Sequence, residues 1–84
     1  MVLDTLITKL VYLDTSLIII TSKGDFALDT RRDGSFVVEY DHPLRYKYIK
    51  NCDELKELIN EETILKVYLL NHETSDETLV YTAQ

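Results

Sequence analysis

The run from Ser16 to Tyr40, SLIIITSKGDFALDTRRDGSFVVEY, most constrains what this chain can fold into. It reads as three short strands joined by two glycine-containing turns. Leu17 to Ile20 is apolar on both faces, as in a strand buried on both sides or a central strand beneath a helix. Lys23-Gly24-Asp25 supplies a turn in which Gly24 is free to take positive φ. Phe26 and Leu28 then alternate with Ala27 and Asp29, the period of two that marks a strand with one wet face. Asp33-Gly34 is a strong hairpin signal. Beyond it, Phe36, Val38 and Tyr40 alternate with Val37 and Glu39. An antiparallel β-meander is therefore expected.

The flanking segments complete an α+β domain. Leu3, Leu6, Ile7 and Leu10 are spaced as on a helix, whereas Thr5, Thr8, Val11 and Tyr12 favour a strand. A short helix or turn is expected at the start, with a strand over Lys9–Leu13 and a tight connection at Asp14-Thr15-Ser16. Pro43 lacks an amide hydrogen, so Asp41-His42-Pro43 should interrupt the meander. Leu44–Lys50 should resume it as an edge strand. Asn51 and Glu54 have the spacing of a capping box, and Leu55, Leu58 and Ile59 form an apolar stripe. These predict one packed helix over about 52–61. Thr63–Leu70 and Glu77–Thr82 should form a C-terminal β-hairpin around the polar stretch Asn71–Asp76.

With 84 residues, residues 1–84 make a single domain, and 45% hydrophobic content is ordinary for a globular one. No apolar run has the ~18–20 residues of a membrane span. MVLDTLITKL lacks the basic region and small-residue cleavage site of a signal peptide. Cys52 has no partner for an internal disulfide. An intracellular, cytoplasmic setting is expected.

The net charge of −6 is unevenly placed. Residues 1–50 hold seven acids and seven basic residues, while residues 51–84 hold eight acids against Lys56 and Lys66. Asp53, Glu57 and Glu61 lie at i, i+4 spacing and would form a row on a helix running to residue 61. Such a row suits a basic partner, and small acidic inhibitors of nucleic-acid-binding enzymes imitate a phosphate backbone in this way. An ordinary solvated helix face has the same pattern.

Arg45-Tyr46-Lys47-Tyr48-Ile49-Lys50 interleaves basic and aromatic residues as single-stranded nucleic-acid platforms do, and Arg31 and Arg32 could extend it. Alternation, however, separates Tyr46 and Tyr48 from Arg45 and Lys47. As a half-buried strand it would turn its tyrosines to the core and its charges to water.

Signals for catalysis are sparse. VYLDTSLI, from Val11 to Ile18, resembles the opening of PIN-domain nucleases, where an Asp ends the first strand to bind a metal and a Ser or Thr follows two residues on. The resemblance implies Asp14 as ligand and Ser16 as its neighbour. That family continues into helices and brings further carboxylates from a longer α/β chain, whereas Leu17–Ile20 here runs straight into a hairpin. Cys52 falls in line with Leu55 and Ile59 and reads as a buried, inert thiol. His42 and His72 lack metal-ligand spacing with Cys52 and read as turn residues. Gly24 and Gly34 lie too far apart for a phosphate loop. No cofactor or metal is expected. The sequence favours a non-catalytic interaction module with a protein partner, and single-stranded nucleic-acid binding and acidic inhibition are the alternatives. Pairing of two copies through the 44–50 edge is also expected.

Overall fold

In a computed structural model, residues 2–7, 15–31, 33, 35–40 and 45–83 are described. The Lys9–Leu13 strand, Asp14, Arg32, Gly34, the Asp41-His42-Pro43 interruption and Leu44, the first residue of the expected Leu44–Lys50 strand, lie outside the described residues. Helix α1 spans Val2–Ile7. Strands β1 (Thr15–Thr21), β2 (Gly24–Thr30), β3 (Phe36–Tyr40) and β4 (Tyr46–Ile49) follow. Helix α2 (Cys52–Leu58) and a 3₁₀ turn (Glu61–Thr63) then lead to β5 (Ile64–Asn71) and β6 (Glu77–Thr82). The six strands form one antiparallel sheet in the order β4-β3-β2-β1-β5-β6.

The α+β class, the meander and the C-terminal hairpin are all present. Gly24 opens β2 with φ +132°, a backbone region that residues with a Cβ rarely adopt. Thr15 and Ser16 belong to β1 rather than to the expected connection, because β5 is long enough to pair with both of them through Asn71 and Leu70. That pairing also sets the architecture. The hairpin joins the sheet beside β1, on the side away from the meander, and this makes β1 central. β4 lies at the opposite edge, as Pro43 foretold.

Both helices cover one face of the sheet. Leu3 and Leu6 from α1, Leu55 from α2 and the adjoining Ile59 pack with Leu17, Ile19, Leu28, Val38, Ile49, Ile64 and Val67 in a single core. Lys56 bridges the helices through an ion pair to Asp4 at 2.9 Å. Asn51 caps α2 by accepting the Glu54 N–H at 3.0 Å. The Glu54 carboxylate reaches back to the N–H of Lys50, not to that of Asn51 as in the usual reciprocal box.

α2 is shorter than its apolar stripe suggests. Ile59 turns extended (φ −115°, ψ 111°), and Asn60 caps the 3₁₀ turn by accepting the Glu62 N–H. Leu58 is consequently only half-buried, while Leu55 and Ile59 are buried. Leu55→Ala should therefore cost about 2–4 kcal/mol and Leu58→Ala about 1–2. Urea unfolding of the two variants reads the difference.

Candidate interaction surface

Residues directly opposite in an antiparallel pair share a face, so the register assigns the side of the sheet without helices. One row across the strands is Tyr46, Glu39, Ala27, Ile18, Tyr68 and Leu79. The row on one side of it runs Tyr48, Val37, Asp29, Ser16, Leu70 and Glu77, and on the other side Asp25, Ile20, Lys66 and Thr82 are aligned. Among the described residues no helix covers this face. Tyr46, Tyr48 and Leu79 are 58, 56 and 49% exposed on it. Ile18, Ile20, Tyr68 and Leu70 between them are partly covered.

The expected orientation of β4 is reversed. The pairing of Ile49 with Phe36 commits Ile49 to the core, so Tyr46 and Tyr48 point away from it. Their rings meet edge-on, with centroids 5.6 Å apart and planes at 83°. The Arg31 guanidinium lies 4.7 Å from the Tyr48 ring centroid, within cation–π range. The basic-aromatic set therefore splits. Arg31, Tyr46 and Tyr48 come together on the open face, while Arg45 and Lys47 are exposed on the Ile49 side of the edge strand. Arg32 lies outside the described residues.

The acidic set also separates. Asp53 and Glu57 are exposed on α2, but the helix ends before Glu61. The Glu61 carboxylate instead accepts the Leu3 N–H at 2.9 Å and ties the 3₁₀ turn to the start of α1. The row on α2 thus keeps two of its three acids.

Sequence reasoning missed a third group. Ser16 Oγ lies 2.5 Å from His72 Nε2 and donates its proton to the Asp29 carboxylate, and His72 Nε2 is 3.8 Å from Asp29 Oδ1. The β1–β2 register sets Asp29 opposite Ser16, and the β1–β5 register brings His72 to them from the following loop; neither spacing nor composition signals the group. The Ser16 hydroxyl proton goes to Asp29, and the direction of the Ser16–His72 contact follows the imidazole tautomer. Ser16 is also only 2% exposed. The group pins the β5–β6 turn onto β1 and β2. Ser16→Ala should cost about 1–2 kcal/mol in urea unfolding by removing the shared hydroxyl. For the PIN-like opening, Asp14 lies outside the described residues, and β1 does turn directly into a hairpin.

Cys52 is partly exposed rather than buried. Its Sγ donates to Asp4 Oδ1 at 2.8 Å. Burial first, and then the Asp4 hydrogen bond and charge, push the thiol up to about 11. The Cys52 hydrogen bond, with Lys56 beside it, holds the Asp4 carboxyl below the usual range. The described residues contain no group of three or more His, Cys, Asp or Glu side chains placed to hold a metal ion, and no helix long and apolar enough to cross a membrane. Compared with protein-family models, curated proteins and solved structures, the chain matches none.

Proposed function

We propose that this chain is a non-catalytic interaction module that binds another protein through the open face of its sheet. The observation that carries the reading is the set of exposed Tyr46, Tyr48 and Leu79 side chains on a face without a helical layer, joined by half-covered Ile18, Ile20 and Tyr68. Exposed aromatic and apolar side chains set among charged ones, as here with Glu39 and Asp29 between β4 and β1, are typical of docking sites. Tyrosine adds a large contact area with a polar tip. The unpaired thiol of Cys52 supports a cytoplasmic setting. Pairing of two copies along the β4 edge is a further route to association, measurable by sedimentation equilibrium.

Single-stranded nucleic acid is the second reading, favoured by Arg31 on Tyr48 beside Tyr46. Asp25, Asp29, Glu39 and Glu77 share the face with Arg31 and Lys66, and that excess of carboxylates opposes a phosphate backbone. A tagged pull-down from the native cell, with and without nuclease, separates the two. The protein reading expects nuclease-resistant capture that is lost in a Tyr46→Ser/Leu79→Ser variant. Capture abolished by nuclease would favour the nucleic-acid reading, and capture indifferent to both variant and nuclease would move the site elsewhere.

A further inference from the structure

The open face is not uniform. Ile18 pairs with Tyr68 at the centre of an apolar patch across β1 and β5, with Ile20 opposite Lys66 at one end and Leu70 opposite Ser16 at the other, and Leu79 extends it onto β6. Asp25 and Asp29 flank Ala27 along β2, and Glu39 lies beside Ala27 on β3. A carboxylate flank therefore runs along one side of the apolar patch. Asp25 and Glu39 are exposed, whereas Asp29 is already engaged by Ser16 and His72.

We propose that this face receives a basic amphipathic helix of a partner protein, with its apolar stripe on the β1–β5 patch and its Lys or Arg flank against Asp25 and Glu39. The proposal rests on the protein-binding reading above and specifies the chemistry of the partner. The dimensions fit a helix laid along the strands. Two strands at ~4.8 Å spacing accept a body about 10 Å wide, and strands of seven and eight residues run ~23–26 Å. A helix of about 15 residues has that length. The opposite face is covered in the same manner by α1 and α2, and a helical layer is a standard cover for an antiparallel sheet. An extended peptide would add to an edge strand instead.

Charge decides against the other occupants. Two copies stacked face to face would oppose Asp25, Glu39 and Glu77 of each copy, beyond the Asp29 already engaged by Ser16 and His72, with Lys66 and Arg31 as the offsetting cations among the described residues. A phosphate backbone meets the same excess. A cationic helix is complementary both to this face and to a chain of net charge −6.

The test titrates the full chain, labelled with ¹⁵N, with a helical peptide of about four turns made of Leu and Lys. Parallel titrations use the same peptide with Glu in place of Lys, and an oligothymidine strand. The proposal expects the Leu/Lys peptide to shift amide resonances of β1, β5 and β6. Its affinity should fall at least about tenfold in Asp25→Lys/Glu39→Lys and less than about twofold in Asp53→Lys/Glu57→Lys. Equal binding of the Leu/Glu peptide would overturn the charge argument and leave an apolar docking face. Shifts confined to α2, or the larger loss on reversal of Asp53 and Glu57, would overturn the site. Self-association abolished by Leu79→Ser would assign the face to a second copy, and oligothymidine binding lost in Arg31→Glu would assign it to nucleic acid. If no peptide moves the face, this inference fails, while the protein-binding reading stands or falls on the pull-down.

Discussion

Leu17→Ala should lower the unfolding free energy by about 3–4 kcal/mol, because it opens a hole at a site that cannot readily collapse. Leu17 is fully buried on the central strand, paired with Leu28 on one side and Leu69 on the other. A chain of this length is stable by roughly 4–13 kcal/mol, so the loss is a large share of the whole. At ~1 kcal/mol per molar urea, the midpoint should fall by about 3 M. Ile18 is the informative comparison, since it is next in sequence and points to the open face. Ile18→Ala should cost about half as much or less, because its side chain already meets water. Equal losses would mean that both faces of β1 are sealed, which contradicts the open-face account.

Cys52 should be alkylated by iodoacetamide near pH 8 about tenfold more slowly in the folded protein than in the unfolded chain. With the thiol at about 11 against an ordinary 9.0, the thiolate fraction is about a hundredfold smaller. The more basic thiolate is the better nucleophile and recovers about a factor of ten. Asp4→Asn should bring the thiol down and speed the reaction, because it removes the carboxylate that accepts the Sγ proton. The stability linkage has a definite sign. Below pH 9 both states hold the proton and the contribution is complete. Between 9 and about 11 the unfolded chain releases it first, so stability falls as pH rises through that window. A thiolate absorbance titration with its midpoint at 9 would refute the assigned environment.

Strands and turns were legible wherever the signal was local. The alternation of Phe26, Leu28, Phe36 and Val38 placed core side chains correctly, as burial confirms for Leu28, Phe36 and Val38. The Asn51 cap located the start of α2 for the same reason. What stayed hidden depends on contacts distant in sequence. Nothing near Ser16 indicates that Leu70 will lie opposite it, so the insertion of the hairpin beside β1 could not be read. The β1–β5 half of the open face and the place of His72 beside Ser16 follow from that pairing. On β4 the alternation was evident but its direction was not. Tyrosine and isoleucine suit a core equally well, and the choice was made by Phe36, which pairs with Ile49. The end of α2 was overshot because Ile59 continues the apolar stripe even though its backbone has left the helix.

Site-specific photocrosslinking tests the central claim most directly. A benzophenone side chain is placed at position 46, 79 or 57 of the chain in the cell that makes it. Tyr46 and Leu79 lie at opposite edges of the open face, and Glu57 lies on the solvent side of α2. The account predicts discrete, nuclease-resistant protein adducts from positions 46 and 79 and none from 57. Adducts from position 57 alone, or nuclease-sensitive adducts from 46 and 79, would contradict it.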